Sequence, residues 1–211
     1  MSWIERVARR LAPLSVEQDD VRGMLREWYY TGNAFDLEEP VESCQLCGHP
    51  GIRYQFHIAN EHTGSELLVG SECIKKFRIP AIDDSGMRLA GNESRRKVDR
   101  DRSKLITDAK HKRVIDALVA LSMSEEDFEI ESFIRYYRER EAFTPNQLKV
   151  VIWRLKKHRI PFRSTDFKMV MRRGREKGQL ENMEGWQVKQ IWPCMSVSQR
   201  NWYLKRFGEP A

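Results

Sequence analysis

The stretch Cys44-Gln-Leu-Cys47-Gly48 decides the fold of its part of the chain, because two cysteines separated by two residues can direct both sulfurs at one metal ion. Gly48 permits the tight turn that this arrangement needs. Cys73 adds a third thiol near the start of a predicted short helix over residues 71–77, where the positive helix end favours a thiolate. The sequence therefore predicts a structural zinc site with Cys44, Cys47 and Cys73 as ligands.

A β-hairpin is predicted between the second and third cysteines. Residues 52–58 alternate apolar and polar side chains, and a second short apolar run, 66–70, follows a turn that contains Gly64. If the hairpin turns near this glycine, His57 lies opposite residues 70 and 71, close to Cys73. We therefore expect His57 as the fourth ligand, with His49 second and a water third. His62 lies at the hairpin tip, out of reach.

The cysteine module resembles a small zinc-binding module of largely uncharacterised bacterial, phage and large-virus proteins. The resemblance rests on Cys44-x-x-Cys47-Gly-His49, Tyr54-x-Phe-x-Ile58-x-Asn60 and Val69-Gly70-Ser-x-Cys73-Ile-x-Lys-Phe77. It implies a metal-binding element of the treble-clef type, in mobile-element or nucleic-acid biology. Some versions of the module carry a cysteine where this chain has Ser71, so the resemblance leaves the fourth ligand open.

Two enzymatic alternatives attach to this module. Three protein ligands plus a water is the pattern of catalytic zinc, although Glu72 is the only carboxylate directly beside a ligand. The sequence His57-Ile-Ala-Asn60 invites comparison with treble-clef nucleases, but those need further metal-binding side chains where this chain has Phe56 and Lys75. We expect a non-enzymatic protein.

The remaining sequence predicts helices. They are expected at residues 2–11, 15–30, 93–121, 125–141, 145–159, 165–177, 186–192 and 197–207, with a linker at 33–43. The fold class is mainly α with a small zinc-bound β-hairpin module, that is, α+β and treble-clef-like. We predict N-terminal helices in residues 1–41, the zinc module in 42–80 and a basic helical domain in 93–211.

Positive charge is concentrated in the second half of the chain, which has 211 residues and a net charge of +6. Segregated positive charge is typical of a phosphate-facing surface. The candidate nucleic-acid-binding residues are Lys149, Arg154, Lys156, Lys157, Lys168, Arg172, Arg173, Arg175 and Lys177. Four tryptophans in the same region can stack on bases or fill the core, and helical spacing favours the core: Trp153, Trp186, Trp192 and Trp202.

These features together predict a zinc-containing nucleic-acid-binding protein or a component of a nucleoprotein complex. The first alternative is a protein-binding adaptor or inhibitor of phage or plasmid origin, and the second is a treble-clef nuclease. The sequence has no apolar run of membrane-spanning length and no secretory signal, so we expect a cytoplasmic protein. In such a compartment Cys194 is expected to be a buried thiol rather than half of a disulfide.

Overall fold

The computed structural model describes residues 2–125 and 128–210. The chain forms two compact units, Met1–Ala109 and Lys110–Ala211. Each unit has its own hydrophobic core. The fold is α+β, because a five-stranded sheet accompanies the helices.

The sheet belongs to the first unit and has the strand order β3-β2-β1-β4-β5. Its strands are β1 (Trp28–Asp36), β2 (Tyr54–Asn60), β3 (Glu66–Val69), β4 (Ala81–Ile82) and β5 (Arg88–Leu89). Strand β1 pairs antiparallel with β2 and parallel with β4, so the sheet is mixed. The helices that begin in this unit are α1 (Trp3–Leu11), α2 (Val21–Arg26), α3 (Ser71–Phe77) and α4 (Gly91–Ser124).

The β2–β3 hairpin was expected, whereas β1 was not. The prediction of one helix over residues 15–30 is wrong, because the chain forms the short helix α2 and then enters β1 at Trp28. Consecutive aromatic and β-branched residues, Trp28-Tyr-Tyr-Thr31, fit a pleated strand better than a helix. Gly32, with φ of +89°, forms a bulge inside the strand, where the register shifts between Tyr30 and Ala34.

Pairing of β1 with β2 joins the N-terminal segment to the cysteine module in one sheet. The predicted boundary between residues 41 and 42 lies inside the first unit, Met1–Ala109. The first part of the expected linker, 33–43, is a strand, since β1 continues to Asp36.

The first helix agrees with the prediction, because α1 starts after Ser2. The Ser2 hydroxyl accepts a hydrogen bond from the Glu5 amide, and the Glu5 carboxylate accepts one from the Ser2 amide.

A buried carboxylate joins the start of β1 to the end of β2. Glu27 is only 6% exposed, and its carboxylate accepts hydrogen bonds from the backbone amides of Val16 and Glu17 at 2.8 and 2.7 Å. It also accepts one from the side-chain amide of Asn60 at 2.7 Å. Burial raises the pKa of Glu27, but the Asn60 and backbone hydrogen bonds outweigh it, so that the pKa lies below its usual value.

The second unit is helical. Besides the end of α4 it contains α5 (Ile130–Arg140), α6 (Pro145–Lys157), α7 (Gly174–Glu181), α8 (Gly185–Ile191) and α9 (Val197–Phe207). The capping boxes expected at the starts of α6 and α9 are present, with Thr144 paired to Gln147 and Ser196 to Gln199. Residues 126 and 127, part of the predicted helix 125–141, lie outside the described residues.

The predicted helix over residues 165–177 is wrong. A short 3-10 turn, Ser164–Asp166, is followed by an extended segment, and α7 begins only at Gly174. Met169 in this segment forms a β-bridge with Phe143, and the buried Asp166, at the end of the turn, accepts a hydrogen bond from Arg113 at 2.7 Å. No helix in the described part of the chain is both long and apolar enough to cross a membrane.

Candidate functional site

Three buried sulfurs lie together in the first unit. The Sγ of Cys73 is 3.6 Å from that of Cys44 and 3.3 Å from that of Cys47, and all three lie within 4.8 Å of one another. A tetrahedral ion with zinc–sulfur bonds of about 2.3 Å would hold its sulfurs about 3.8 Å apart. The described residues therefore contain a three-cysteine group that could hold a metal ion, as the sequence predicted.

The turn that carries Cys44 and Cys47 is fixed by its own backbone. The Gly48 amide donates to the Cys44 carbonyl at 2.8 Å, and the Cys44 amide donates to the His49 carbonyl at 2.9 Å. Gly48 has φ of +71°, a left-handed conformation that favours glycine. Gln45 then ties the turn to β3, because its side-chain oxygen accepts the Leu68 amide at 2.7 Å.

The third cysteine is positioned by the first turn of α3. Gly70 is the residue before this helix, and its carbonyl accepts the Cys73 amide at 3.0 Å. The Gly70 amide in turn points at the Cys44 sulfur, 3.4 Å away. Amide donors of this kind orient a thiolate ligand and stabilise its charge. The three sulfurs are also part of the first unit's core, so the surrounding packing holds them in place.

Crowding of the sulfurs separates their pKa values. The hydrogen bond from Cys73 lowers the pKa of the Cys44 thiol, and the Gly70 amide adds to this effect against the opposing effect of burial. The same contact raises the pKa of Cys73, which lies beside two other sulfurs. The Cys44 sulfur thus accepts a hydrogen bond from Cys73, and a bound cation would favour deprotonation of all three thiols.

His57 does not join this group. Its Nδ1 lies 3.0 Å from the Thr31 hydroxyl, and its Nε2 lies 3.2 Å from the Glu66 carboxylate. The reason is the two-residue period of a strand: Phe56 and Ile58 pack in the core with the cysteines, so His57 between them points to the opposite face. The prediction that His57 approaches Cys73 is wrong, because it was based on how far along the strand His57 lies and not on which face of the sheet its side chain occupies.

His49 lies on the same side as the sulfurs. An open cavity of about 670 Å³ is lined by the three cysteines, by His49 and by cationic side chains that include Lys76 and Arg102. The His49 side chain is exposed. Glu72 also lines the cavity, although it pairs with Lys75 at 2.8 Å.

No family model, curated protein or solved structure matches the chain. Functional inference therefore depends on the chemistry of its own residues.

The second unit contains a wide groove of about 1660 Å³. Five of the nine candidate phosphate-binding residues line it: Lys168, Arg172, Arg173, Arg175 and Lys177. Arg140 and Arg200, which sequence reasoning did not select, line it as well. Arg140 and Arg200 are far from the other basic residues in the sequence, so no sequence pattern predicted that they line the same groove.

The groove contains few compensating negative charges. Its acidic residues are Glu141 and Glu176. The Glu176 carboxylate accepts hydrogen bonds from the backbone amides of Arg173 and Arg172, and these bonds lower the pKa of Glu176. Arg172 and Arg173 themselves are exposed. Within residues 2–125 and 128–210, no carboxylate forms a salt bridge with Arg172, Arg173 or Lys168.

The four candidate residues on α6 lie outside the lining of this groove. Arg154 and Lys157 both pair with Glu125, the latter at 3.5 Å. Lys149 approaches Gln187 at 3.5 Å, and Lys156 is exposed. The nine basic residues thus do not form one surface: one set lines the groove, and two members of the other set are already paired.

The four candidate tryptophans also divide into two sets. Trp192 and Trp202 pack against the core of the second unit, as helical spacing led us to expect. Trp153 and Trp186 do not, since 44% and 57% of their surfaces are exposed.

Cys194 is a buried free thiol, as predicted, and burial raises its pKa to about 12.

Proposed function

We propose that this chain is a non-enzymatic nucleic-acid-binding protein, with a structural zinc ion in the first unit and a phosphate-binding groove in the second. The observation that supports the binding function is the groove itself, in which the exposed residues Lys168, Arg172 and Arg173 form no salt bridge with a described carboxylate. Exposed cations in a concave surface are suited to a polyanion, because each phosphate that they neutralise releases condensed counterions.

The proposed metal is zinc. Three thiolates with sulfur spacings near those of a tetrahedral site suit this ion better than the oxygen-seeking cations calcium and magnesium. The order of turn, hairpin and cysteine-bearing helix is consistent with a treble-clef-like element, as the resemblance implied. Zinc in such a site would stabilise the fold of the first unit.

We propose His49 as the fourth ligand. Replacing His49 with alanine should weaken zinc binding by about tenfold or more, because even residues that only orient a ligand contribute that much. His57→Ala is the matched control and should leave zinc affinity unchanged, since His57 contacts Thr31 and Glu66 instead. Competition with a chromophoric chelator measures both affinities. An unchanged zinc affinity and an unchanged absorption spectrum of the cobalt-substituted His49→Ala variant would show that His49 is not the fourth ligand.

The groove has its own test. The double substitution Arg172→Ala, Arg173→Ala should weaken binding to unrelated duplex DNA and reduce the slope of log affinity against log salt by about 1.8, as expected if each arginine neutralises one phosphate. Fluorescence anisotropy across a salt series measures both quantities. The matched control is Arg9→Ala, Arg10→Ala, which removes two exposed cations from α1 and the same net charge.

Two outcomes would contradict the proposed groove. If both double variants weaken binding equally, net charge rather than the groove drives association. If the metal-loaded wild-type protein binds neither DNA nor RNA near physiological salt, the binding function is wrong, and the adaptor alternative, in which the basic surface meets an acidic protein, takes its place. Retention of one acidic protein that the arginine variant fails to retain would support that alternative.

A further inference from the structure

Two exposed tryptophans lie on helices that pack against each other in the second unit. Trp153 is on α6 and Trp186 is on α8, and these two helices are in contact. Lys149, one turn before Trp153, approaches Gln187, the neighbour of Trp186, at 3.5 Å. The two indoles thus lie on two helices that pack against each other, and the α6–α8 face is here defined by exposed or partly exposed residues of these helices, namely Lys149, Trp153, Lys157, Trp186 and Lys189.

The exposure of these indoles has no explanation in the packing of the unit. Tryptophan is usually largely buried, and its large apolar surface costs free energy when it is left in water. Trp153 and Trp186 are nevertheless 44% and 57% exposed, more than any other tryptophan among the described residues. A contiguous exposed apolar patch surrounded by polar residues marks an interaction surface, and these two indoles mark one provided that they act together as such a patch.

The surroundings of the indoles are cationic. The Lys157 ammonium lies 5.3 Å from the centre of the Trp153 ring and 3.5 Å from the Glu125 carboxylate. Lys149, one turn before Trp153 on the same side of α6, forms no salt bridge with a described carboxylate. On α8, Lys189 is exposed and follows Trp186 by three residues, so the two share a side of that helix. Lysine is depleted at protein–protein interfaces, whereas aromatic rings interleaved with cations are typical of surfaces that bind single strands.

We propose that the α6–α8 face binds single-stranded nucleic acid, with bases stacked on Trp153 and Trp186 and phosphates beside the lysines. This proposal rests on the proposed nucleic-acid-binding function and adds to it the class of substrate. A single strand can turn its bases outward to meet an indole, whereas the paired bases of a duplex are stacked inside the helix. The groove supplies affinity for any polyanion, and the indoles discriminate in favour of unpaired bases.

The test compares a labelled thymidine oligonucleotide with a duplex of equal phosphate number, using the full-length, metal-loaded protein. Trp153→Ala and Trp186→Ala should each lower the affinity for the single strand by about tenfold, as stacking on one aromatic side chain typically contributes. Duplex affinity and the salt slope should stay unchanged, because no charge is removed. Trp153→Phe, which keeps an aromatic ring, should retain most of the single-strand affinity.

A matched control is Phe35→Ala, because Phe35 is 49% exposed but lies on β1 in the first unit. It should leave both affinities unchanged. Thermal unfolding of each variant identifies any loss of stability. Single-strand binding that survives both tryptophan substitutions, or an equal loss for single strand and duplex, would overturn this proposal and leave the groove proposal standing. Absence of all binding by the wild-type protein would instead remove the proposed function on which it rests.

Discussion

Replacing Cys73 with alanine should abolish stoichiometric zinc binding and unfold much of the first unit. Cys73 is the sulfur that contacts both of the others, at 3.6 and 3.3 Å, so its loss removes the centre of the site. The free energy of binding a structural zinc ion is about 10–16 kcal/mol in small zinc peptides, and in such sites it is also free energy of folding. Metal content by mass spectrometry and thermal unfolding followed by circular dichroism measure the two effects.

Cys194→Ala is the matched control, because Cys194 is also a buried free cysteine but belongs to the second unit. This variant should retain one zinc ion per chain. Protein purified without chelator that contains no metal, or a Cys73→Ala variant with wild-type metal content and melting temperature, would contradict the structural zinc site.

Glu27→Ala should lower the free energy of unfolding by about 1–3 kcal/mol. The substitution leaves the buried Asn60 side chain without this acceptor, which costs about 1–3 kcal/mol, and it also removes the acceptor of the more exposed Val16 and Glu17 amides. Chemical denaturation of the zinc-loaded protein measures the difference. Glu66→Ala is the control and should cost less than about 0.5 kcal/mol, since the Glu66 carboxylate is exposed and, among the described residues, pairs with His57 alone.

Glu27 also gives stability a dependence on acid. Because the folded-state pKa of Glu27 is lowered, its contribution is fully present above its ordinary pKa of 4.5 and is lost as the pH falls through the folded-state value. Wild-type stability should therefore decline below pH 4.5 more steeply than that of Glu27→Gln, in which this group cannot titrate. Parallel decline of the two proteins would show that the hydrogen bonds to Glu27 do not require its charge.

The local features of the metal centre could be predicted from the sequence because short-range chemistry determines them. Spacing predicted that Cys44 and Cys47 share a turn, and the order of hairpin and helix brought Cys73 to them. His57 was placed wrongly because distance along a strand and the face of the sheet are separate questions. The apolar residues Phe56 and Ile58 on either side of His57 could have predicted its face, since the residue between two buried strand residues points away from the core.

The rest of the fold depended on contacts between distant residues. Local sequence alone did not exclude a helix over residues 28–31. The backbone pairing of β1 with β2, which the local sequence does not show, stabilises the strand. Residues 167–173 likewise form an extended segment because Phe143 bonds to them from across the unit. The exposure of Trp153 has the same origin, because helical spacing alone does not show which sides of α6 the neighbouring elements cover.

The separation of the three cysteines along the chain also determines when the site can form during synthesis. Cys44 and Cys73 are 29 residues apart, and strands β4 and β5 follow the second of them. A nascent chain presents only the Cys44–Cys47 pair until the hairpin and α3 have left the ribosome, and two thiols hold a zinc ion poorly. If the proposed zinc site forms during synthesis, it can form only after α3 has emerged, while β4, β5 and the start of α4 still have to be added to the first unit.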